Sequence, residues 1–222
     1  TMGPARIATD DQIEAIHHAS VTILRDIGID VLDDEARQRY VAAGATAKGS
    51  QVHFDPEMVE ALITTAPAQF TLHAWNPAHS LQIGGDWLAF GTVASAPNVA
   101  DMDGGRRTGN RADYQNLLRL AQMLNSIHFI AGYPVEPIDI HGSVRHLHAT
   151  YDILTLTDRT LHAYSLGRQR NIDCLEMVRI ARQRTVEQIQ TEPSLFTVIN
   201  TNSPLRLDIP MAQGIIEFAR HN

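Results

Sequence analysis

The chain has 222 residues, 44% hydrophobic and 19% charged, a balance that supports a packed core and argues against a disordered polymer. Its net charge of −7 offers no basic field for a phosphate backbone, which disfavours nucleic-acid binding. Cys174 is the single cysteine, excluding an intramolecular disulfide, and no apolar run approaches the roughly 18 residues of a membrane span, so a soluble cytoplasmic chain with no membrane partner is expected. In chain order, Thr9 and Gln12 form a capping-box pattern that opens a first helix. Ile13, Ile16, Val21, Leu24 and Ile27 predict its apolar stripe, ended by Gly28. Asp33-Asp34-Glu35 starts a second helix that Ala43-Gly44 stops. A short strand is predicted over Gln51–Asp55, and Pro56 begins a third helix whose apolar side is Met58, Val59, Leu62 and Ile63.

From Phe70 the pattern turns to short strands. Phe70–Ala74, Leu81–Ile83 and Trp87–Phe90 are separated by the turn signals Asn76-Pro77 and Gly84-Gly85-Asp86. Asp103-Gly104 predicts a hairpin between Val99–Met102 and Arg106–Thr108. The paired glycines at 84 and 85 are read as a turn and not as a phosphate loop, because no Walker or dinucleotide fingerprint follows.

Beyond residue 110 strands and helices alternate. Helices are predicted over Ala112–Leu124, Ser143–Thr157, Ile172–Gln183 and Ile209–His221, and strands over Ile127–Ala131, Thr160–Tyr164 and Leu195–Asn200. With Trp87–Thr92 as a first strand there are four β/α units, which imply a parallel sheet with right-handed crossovers. The fold class read from this rhythm is α/β. Either the sheet is open and doubly wound, or the chain is the front half of a (β/α)8 barrel; the second is favoured. Residues 1–69 then form an N-terminal helical cap, and residues 70–222 the hairpins and first half-barrel.

Several of these stretches resemble one family. Asp10–Ser20 with Ile23–Gly28, Phe70–Ala74, Phe90-Gly91 with Ala96–Val99, the Asp113–Ala121 helix, His148-Ala149 with Tyr151, and Asn200 with Ser203-Pro204-Leu205 are similar, in order and spacing, to the trimethylamine methyltransferase (MttB) superfamily. The resemblance covers nearly the whole chain and implies a (β/α)8 barrel of roughly twice this length. It further implies transfer of a methyl group from a methylated or quaternary amine, of trimethylamine or glycine betaine type, to the cobalt of a corrinoid carried by a partner protein, with no cofactor bound directly. Members acting on trimethylamine carry pyrrolysine in the second half of the barrel; many relatives lack it.

Transfer from a quaternary ammonium needs positioning more than acid catalysis, because the departing tertiary amine leaves neutral. Aromatic faces or carboxylates suit a cationic head, and a polar clamp suits a substrate carboxylate. Strand-end logic nominates Gly91, Thr92, Tyr133, His162, Tyr164, Asn200, Asn202 and Ser203 as substrate-binding residues, with no catalytic residue assigned. Each has a plainer reading: Gly91 a tight backbone, Tyr133 and His162 core packing, Asn200 and Ser203 a turn and cap before Pro204. No metal is expected, since His146 and His148 point to different sides of a helix and no His-Glu-x-x-His or Cys-x-x-Cys occurs. Cys174 reads as a packed thiol, Arg179, Arg182 and Arg184 as a solvated face, and Glu14–His18 as a surface pair. The competing function is a non-catalytic half-barrel that forms a homo-oligomer, two copies completing a barrel across a two-fold axis.

Overall fold

A computed structural model of the chain describes residues 6–164 and 166–221. Two compact units emerge: one holds the described residues through Ala68 together with Ile199–Ile216, the other Gln69–Val198 with the residues from Glu217 onward.

In the first unit helix α1 (Asp10–Asp26) carries the expected capping box. Thr9 Oγ1 accepts from the Gln12 amide at 3.3 Å, and the Thr9 amide donates back to Gln12 Oε1 at 2.9 Å. Gly28 ends the turn at φ +74°, where a side chain would run into the Val52 carbonyl. The predicted stripe is only partly buried: Val21 is covered, whereas Ile13, Ile16 and Ile27 are exposed. Strand β1 (Ile29–Val31) follows, then α2 (Asp34–Ala42), started by Asp33 Oδ1 accepting from the Ala36 amide at 2.9 Å. Strands β2 (Thr46–Lys48) and β3 (Gln51–His53) form an antiparallel pair, and α3 (Pro56–Ile63) begins at its proline, capped by Asp55. The Gln51–Asp55 expectation thus shortens to three residues and gains two partners, because β1 pairs β3 antiparallel. The fourth strand of this sheet comes from the far end of the chain, described below.

The second unit opens with β4 (Gln69–Leu72) and β5 (Leu81–Gly84), an antiparallel pair joined through a 3-10 turn at Pro77–His79. A second hairpin, β6 (Asn98–Asp101) and β7 (Gly105–Thr108), closes at Asp103-Gly104 as expected. Helix α4 (Arg111–Met123) leads to β8 (Phe129–Ile130), α5 (Arg145–Leu156) to β9 (Thr160–His162), and α6 (Arg168–Ala181) with α7 (Val186–Thr191) to β10 (Leu195–Phe196). These last three strands form a parallel sheet in the order β8-β9-β10, with Phe129 opposite Thr160 and Phe196 opposite His162. The order is sequential, without the reversal that marks a doubly wound sheet. Ile130, Leu161 and Leu195 share one face and pack with Tyr114, Leu118, Ile153, Cys174, Leu175 and Val178 from the helices. Asp152, 1% exposed on α5, receives Arg111 Nε and Nη2 at 2.8 and 2.9 Å and Gln115 Nε2 at 3.0 Å, which pins α4 to α5.

Two expectations need correction here. Trp87–Thr92 is not a regular strand: Gly91 alone bridges Phe129, in parallel, and the Phe90 amide donates to the His128 ring instead of a backbone oxygen. Side-chain capture of that amide interrupts the ladder. Arg182 is not on a solvated face: it is half-buried and donates to the carbonyls of His73 and Ala74 at 3.2 and 3.0 Å, tying α6 to the end of β4.

The chain then returns to the first unit. Strand β11 (Arg206–Leu207) lies parallel to β1, with Val31 opposite Leu207. Helix α8 (Ile209–Arg220) follows, its Asp208 accepting from the Met211 amide at 2.9 Å. Leu207, Ala212 and Ile216 complete a core with Val31, Val52 and Phe54. Of the predicted strand Leu195–Asn200 only Leu195–Phe196 is formed.

Candidate functional site

At the carboxyl ends of the parallel strands the second unit forms a cleft of about 390 Å³, lined by Ser95, Tyr133, Glu136, Arg145, His146, Tyr164 and Arg170, among others. Consecutive segments supply it: Ser95 follows the Gly91 bridge, Tyr133 follows β8 and Tyr164 follows β9. That end of a parallel sheet is where loops converge and ligands bind.

The edge beside β8 is held by short contacts. At Gly91 a Cβ would sit 2.5 Å from the Phe129 ring and 3.0 Å from Ala131 Cβ, so any larger residue must displace that ring. Thr92 donates its amide to the Phe129 carbonyl at 3.3 Å and accepts from the Ala131 amide at Oγ1, 3.1 Å. Its hydroxyl is therefore occupied by backbone. Ser95 adopts φ +58°, a conformation few side chains take, and its amide donates to the Tyr133 carbonyl at 2.7 Å.

Tyr164 is the hub. Its hydroxyl accepts from the Tyr133 amide at 3.0 Å and shares a 2.5 Å hydrogen bond with Ser95 Oγ. Gly132, at φ +134°, leaves the space that the Tyr164 ring fills. The Tyr164 ring lies 4.4 Å from that of Tyr133 and 4.8 Å from that of His162, between centroids. His162 in turn stacks on Phe196 at 5.3 Å, and Phe196 meets Phe129 edge-on at 5.4 Å. Phe129, Phe196 and His162 thus form an aromatic row on the sheet face opposite Ile130, Leu161 and Leu195, and it continues through Tyr164 to Tyr133, which packs into the helical core.

His162 is buried. Its Nε2 accepts from the Val198 amide at 3.0 Å, while Nδ1 is buried without a hydrogen-bond partner among the described residues. Burial lowers its pKa, opposed by the Ala131 backbone. Tyr133 is 7% exposed; burial pushes its phenol upward, so it stays protonated at neutral pH. On the helical wall Arg145 pairs with Glu136 at 3.2 Å, and His146 Nε2 meets Asp173 Oδ2 at 2.8 Å. The His146 hydrogen bond holds the Asp173 carboxyl below its ordinary range, against the opposing effect of burial.

Five of the eight residues nominated from the sequence, Gly91, Thr92, Tyr133, His162 and Tyr164, meet in this region, with Tyr133 and Tyr164 lining the cleft itself. Asn200, Asn202 and Ser203 belong to the other compact unit, where all three are exposed. There Asn202 exchanges backbone hydrogen bonds with Arg206 at 2.6 and 2.9 Å, and its Nδ2 donates to Asp208 at 2.7 Å, closing the turn through Ser203-Pro204. Sequence reasoning did not single out Ser95, Glu136, Arg145 or Arg170 and weighed His146 only as a metal ligand. Their one local signal is position, in the first turns and loops after predicted strands. His146 is buried and His148 exposed, as their spacing on the helix requires. Cys174 is a packed thiol, 2% exposed, with its pKa raised by burial. Among the described residues no group of three or more His, Cys, Asp or Glu side chains is placed to hold a metal ion.

A larger cavity, about 450 Å³, lies at the opposite end of the sheet among His79, Trp87, Asn125, His128 and Arg159. Several of its polar groups are engaged in the fold, His79 with Asp158 at 2.7 Å, His128 with the Phe90 amide at 2.8 Å, and Arg159 Nη2 with the Gln122 and Leu124 carbonyls, while Arg159 Nε is buried without a hydrogen-bond partner among the described residues. The carboxyl-end cleft, with two tyrosines and a guanidinium, is the better built for a ligand.

A mixed α/β protein with an aromatic cleft at the carboxyl ends of sequential parallel strands is the class that fold and site define. A family model described as trimethylamine methyltransferase (MTTB) matches residues 1–222, and the chain belongs to that family. It is similar to a glycine betaine methyltransferase of Desulfitobacterium hafniense (strain Y51), 33% identical over 213 residues, covering 96% of this chain and 44% of the relative. It is also similar to trimethylamine methyltransferase MttB of D. hafniense (strain DSM 10664 / DCB-2), 25% identical over 96% of this chain and 43% of the relative. A third relative, MttB1 of Methanosarcina mazei, is 25% identical over 96% and 44% respectively. The chain spans less than half the length of these relatives. No helix among the described residues is long and apolar enough to cross a membrane.

Proposed function

We propose that this chain forms consecutive β/α units of a (β/α)8 barrel that takes a methyl group from a methylated or quaternary amine, of trimethylamine or glycine betaine type, and passes it to a corrinoid carried by a separate protein in the cytoplasm. The sequential parallel order β8-β9-β10, with the Gly91 segment beside β8, supports the barrel reading. The names of the relatives support the chemistry. The observation that carries the site is the pair of tyrosine rings, 4.4 Å apart, at the carboxyl ends of neighbouring strands.

A methylated ammonium is a bulky cation with apolar methyl groups, which an aromatic face binds through its quadrupole without demanding a hydrogen bond. Tyr164 supplies such a face, backed by the buried Tyr133 ring, and the Ser95–Tyr164 hydrogen bond fixes its angle. From a quaternary ammonium, or from trimethylamine bound as its ammonium ion, nitrogen keeps the electron pair of the broken C–N bond when the methyl group departs and leaves as a neutral amine, so no side chain needs to deliver a proton. The acceptor supplies the electron pair for the new bond. The work of this chain is to hold the methyl group in line and to replace water around the cation with a fixed field. The buried, protonated Tyr133 phenol and the uncharged aromatic row below it provide a poorly hydrated wall of that kind.

The test is calorimetric titration of the 222-residue chain with glycine betaine and with trimethylamine. Saturable binding of at least one is expected, and heats indistinguishable from dilution for both would overturn the reading. Transfer is then read as loss of one N-methyl group from the amine, by mass spectrometry, when a reduced corrinoid protein is supplied.

A further inference from the structure

The charged groups around the cleft leave one guanidinium over. Arg145 pairs with Glu136 at 3.2 Å and donates to the Ile140 carbonyl at 3.0 and 3.2 Å. Asp173, one turn beyond Arg170 on the same helix, is taken by His146 and by Gln169 Nε2, each at 2.8 Å. Arg170 donates only to the Gly142 carbonyl, at 3.1 Å, and makes no ion pair among the described residues. A guanidinium has five N–H donors in a planar fork that matches a carboxylate, so most of its capacity is unused here.

Tyr133 presents the same situation beside it. Its side chain is more than nine-tenths buried and its ring is fixed against Tyr114 at 5.9 Å and Tyr164 at 4.4 Å. Its amide is bonded to Tyr164, but its hydroxyl has no hydrogen-bond partner among the described residues. That hydroxyl is not sealed in the core either, unlike Nδ1 of His146 and of His162. Both Tyr133 and Arg170 line the cleft, and the guanidinium lies close enough to act electrostatically on the phenol. A neutral O–H donor and a guanidinium therefore line one cavity with the Tyr164 ring, and the one carboxylate in its lining, Glu136, is paired with Arg145.

We propose that Arg170 and the Tyr133 hydroxyl together bind the carboxylate of a zwitterionic substrate, so that the cleft selects N-methylated amino acids over methylated amines that lack an anionic group. The Tyr164 face takes the ammonium head and the two donors take the tail. This rests on the methylated-amine reading above and adds the residues that set specificity within it.

The experiment is calorimetric titration of the 222-residue chain with glycine betaine and with choline, which keeps the trimethylammonium head and replaces the carboxylate by a hydroxyl. Glycine betaine is expected to bind about tenfold or more tightly than choline, the worth of a charge-assisted hydrogen bond. R170Q is expected to bring the two within about twofold, R170K to keep part of the preference, and Y133F to weaken glycine betaine about threefold with choline unchanged. Arg170 is bonded only to one carbonyl, so R170Q should keep its circular dichroism and melting point; should it not fold, Y133F carries the test. Equal affinities in the unaltered chain, or a preference that survives both R170Q and Y133F, would overturn the clamp while leaving the methylated-amine site standing. Failure of both ligands to bind the unaltered chain would overturn the underlying reading and the clamp together.

Discussion

Gly91 and His162 show how much a single position can mean and how little of it is local. A glycine before a threonine carries no mark of its cause, which is the Phe129 ring 2.5 Å from where its Cβ would be. Gly91→Ala is expected to cost about 1–3 kcal/mol in urea unfolding, as overpacking does, with Phe129→Leu recovering part of it; an unchanged midpoint would show that the ring moves freely. Sequence alone places His162 between core and function, and its Nε2 is taken by the Val198 amide. Its folded pKa lies below its unfolded value, so the unfolded chain takes up the proton first as pH falls. This contribution to stability is complete above the unfolded value of about 6.5 and is lost as pH falls from there toward the folded pKa. H162Q retains an acceptor and does not titrate, so the fall in urea midpoint from pH 7.5 to 5.5 should be smaller in the variant. Equal falls in the two proteins would remove His162 from the account.

Helices were legible in this chain and strands much less so. Capping groups at Thr9, Asp33 and Asp55 start their helices through hydrogen bonds that span two or three residues, which a sequence shows directly. Strands β8, β9 and β10 have only two or three residues each, too few for alternation to register, and their apolar character reflects burial as much as strand geometry. The apolar stripe of α1 misled in another way: periodicity reveals a face but not what covers it, and Ile13 and Ile16 are exposed. Between elements one tie is Arg111 to Asp152, invisible in sequence because the partners are 41 residues apart. R111M leaves a carboxylate with 1% exposure without its cation and is expected to destabilise by about 3–5 kcal/mol in urea unfolding, with D152N in the same chain restoring part. A loss under 1 kcal/mol would mean that Gln115 and solvent suffice.

Across the whole chain the decisive contact joins sequence ends. Strand β11 pairs with β1, Val31 opposite Leu207, so the first unit is completed by residues 199–216. L207A removes a side chain 3% exposed and is expected to cost about 2–5 kcal/mol, with faster hydrogen exchange at Val31 and Val52 than in the second unit. A uniform change over both units would argue against their separate packing. The same long-range logic divides what could be read from what could not. Composition, charge, helix caps, the 3.6-residue period and the ordered motifs led to α/β class and family, because each depends on totals or on neighbours a few residues apart. The pairing of β1 with β11, the bridge at Gly91, the Tyr133–Tyr164–Ser95 contact and the Arg170 guanidinium, without an ion pair among the described residues, were decided by tertiary structure. Each depends on segments distant in sequence being brought within hydrogen-bond or van der Waals reach, and that distance is set only when the core packs.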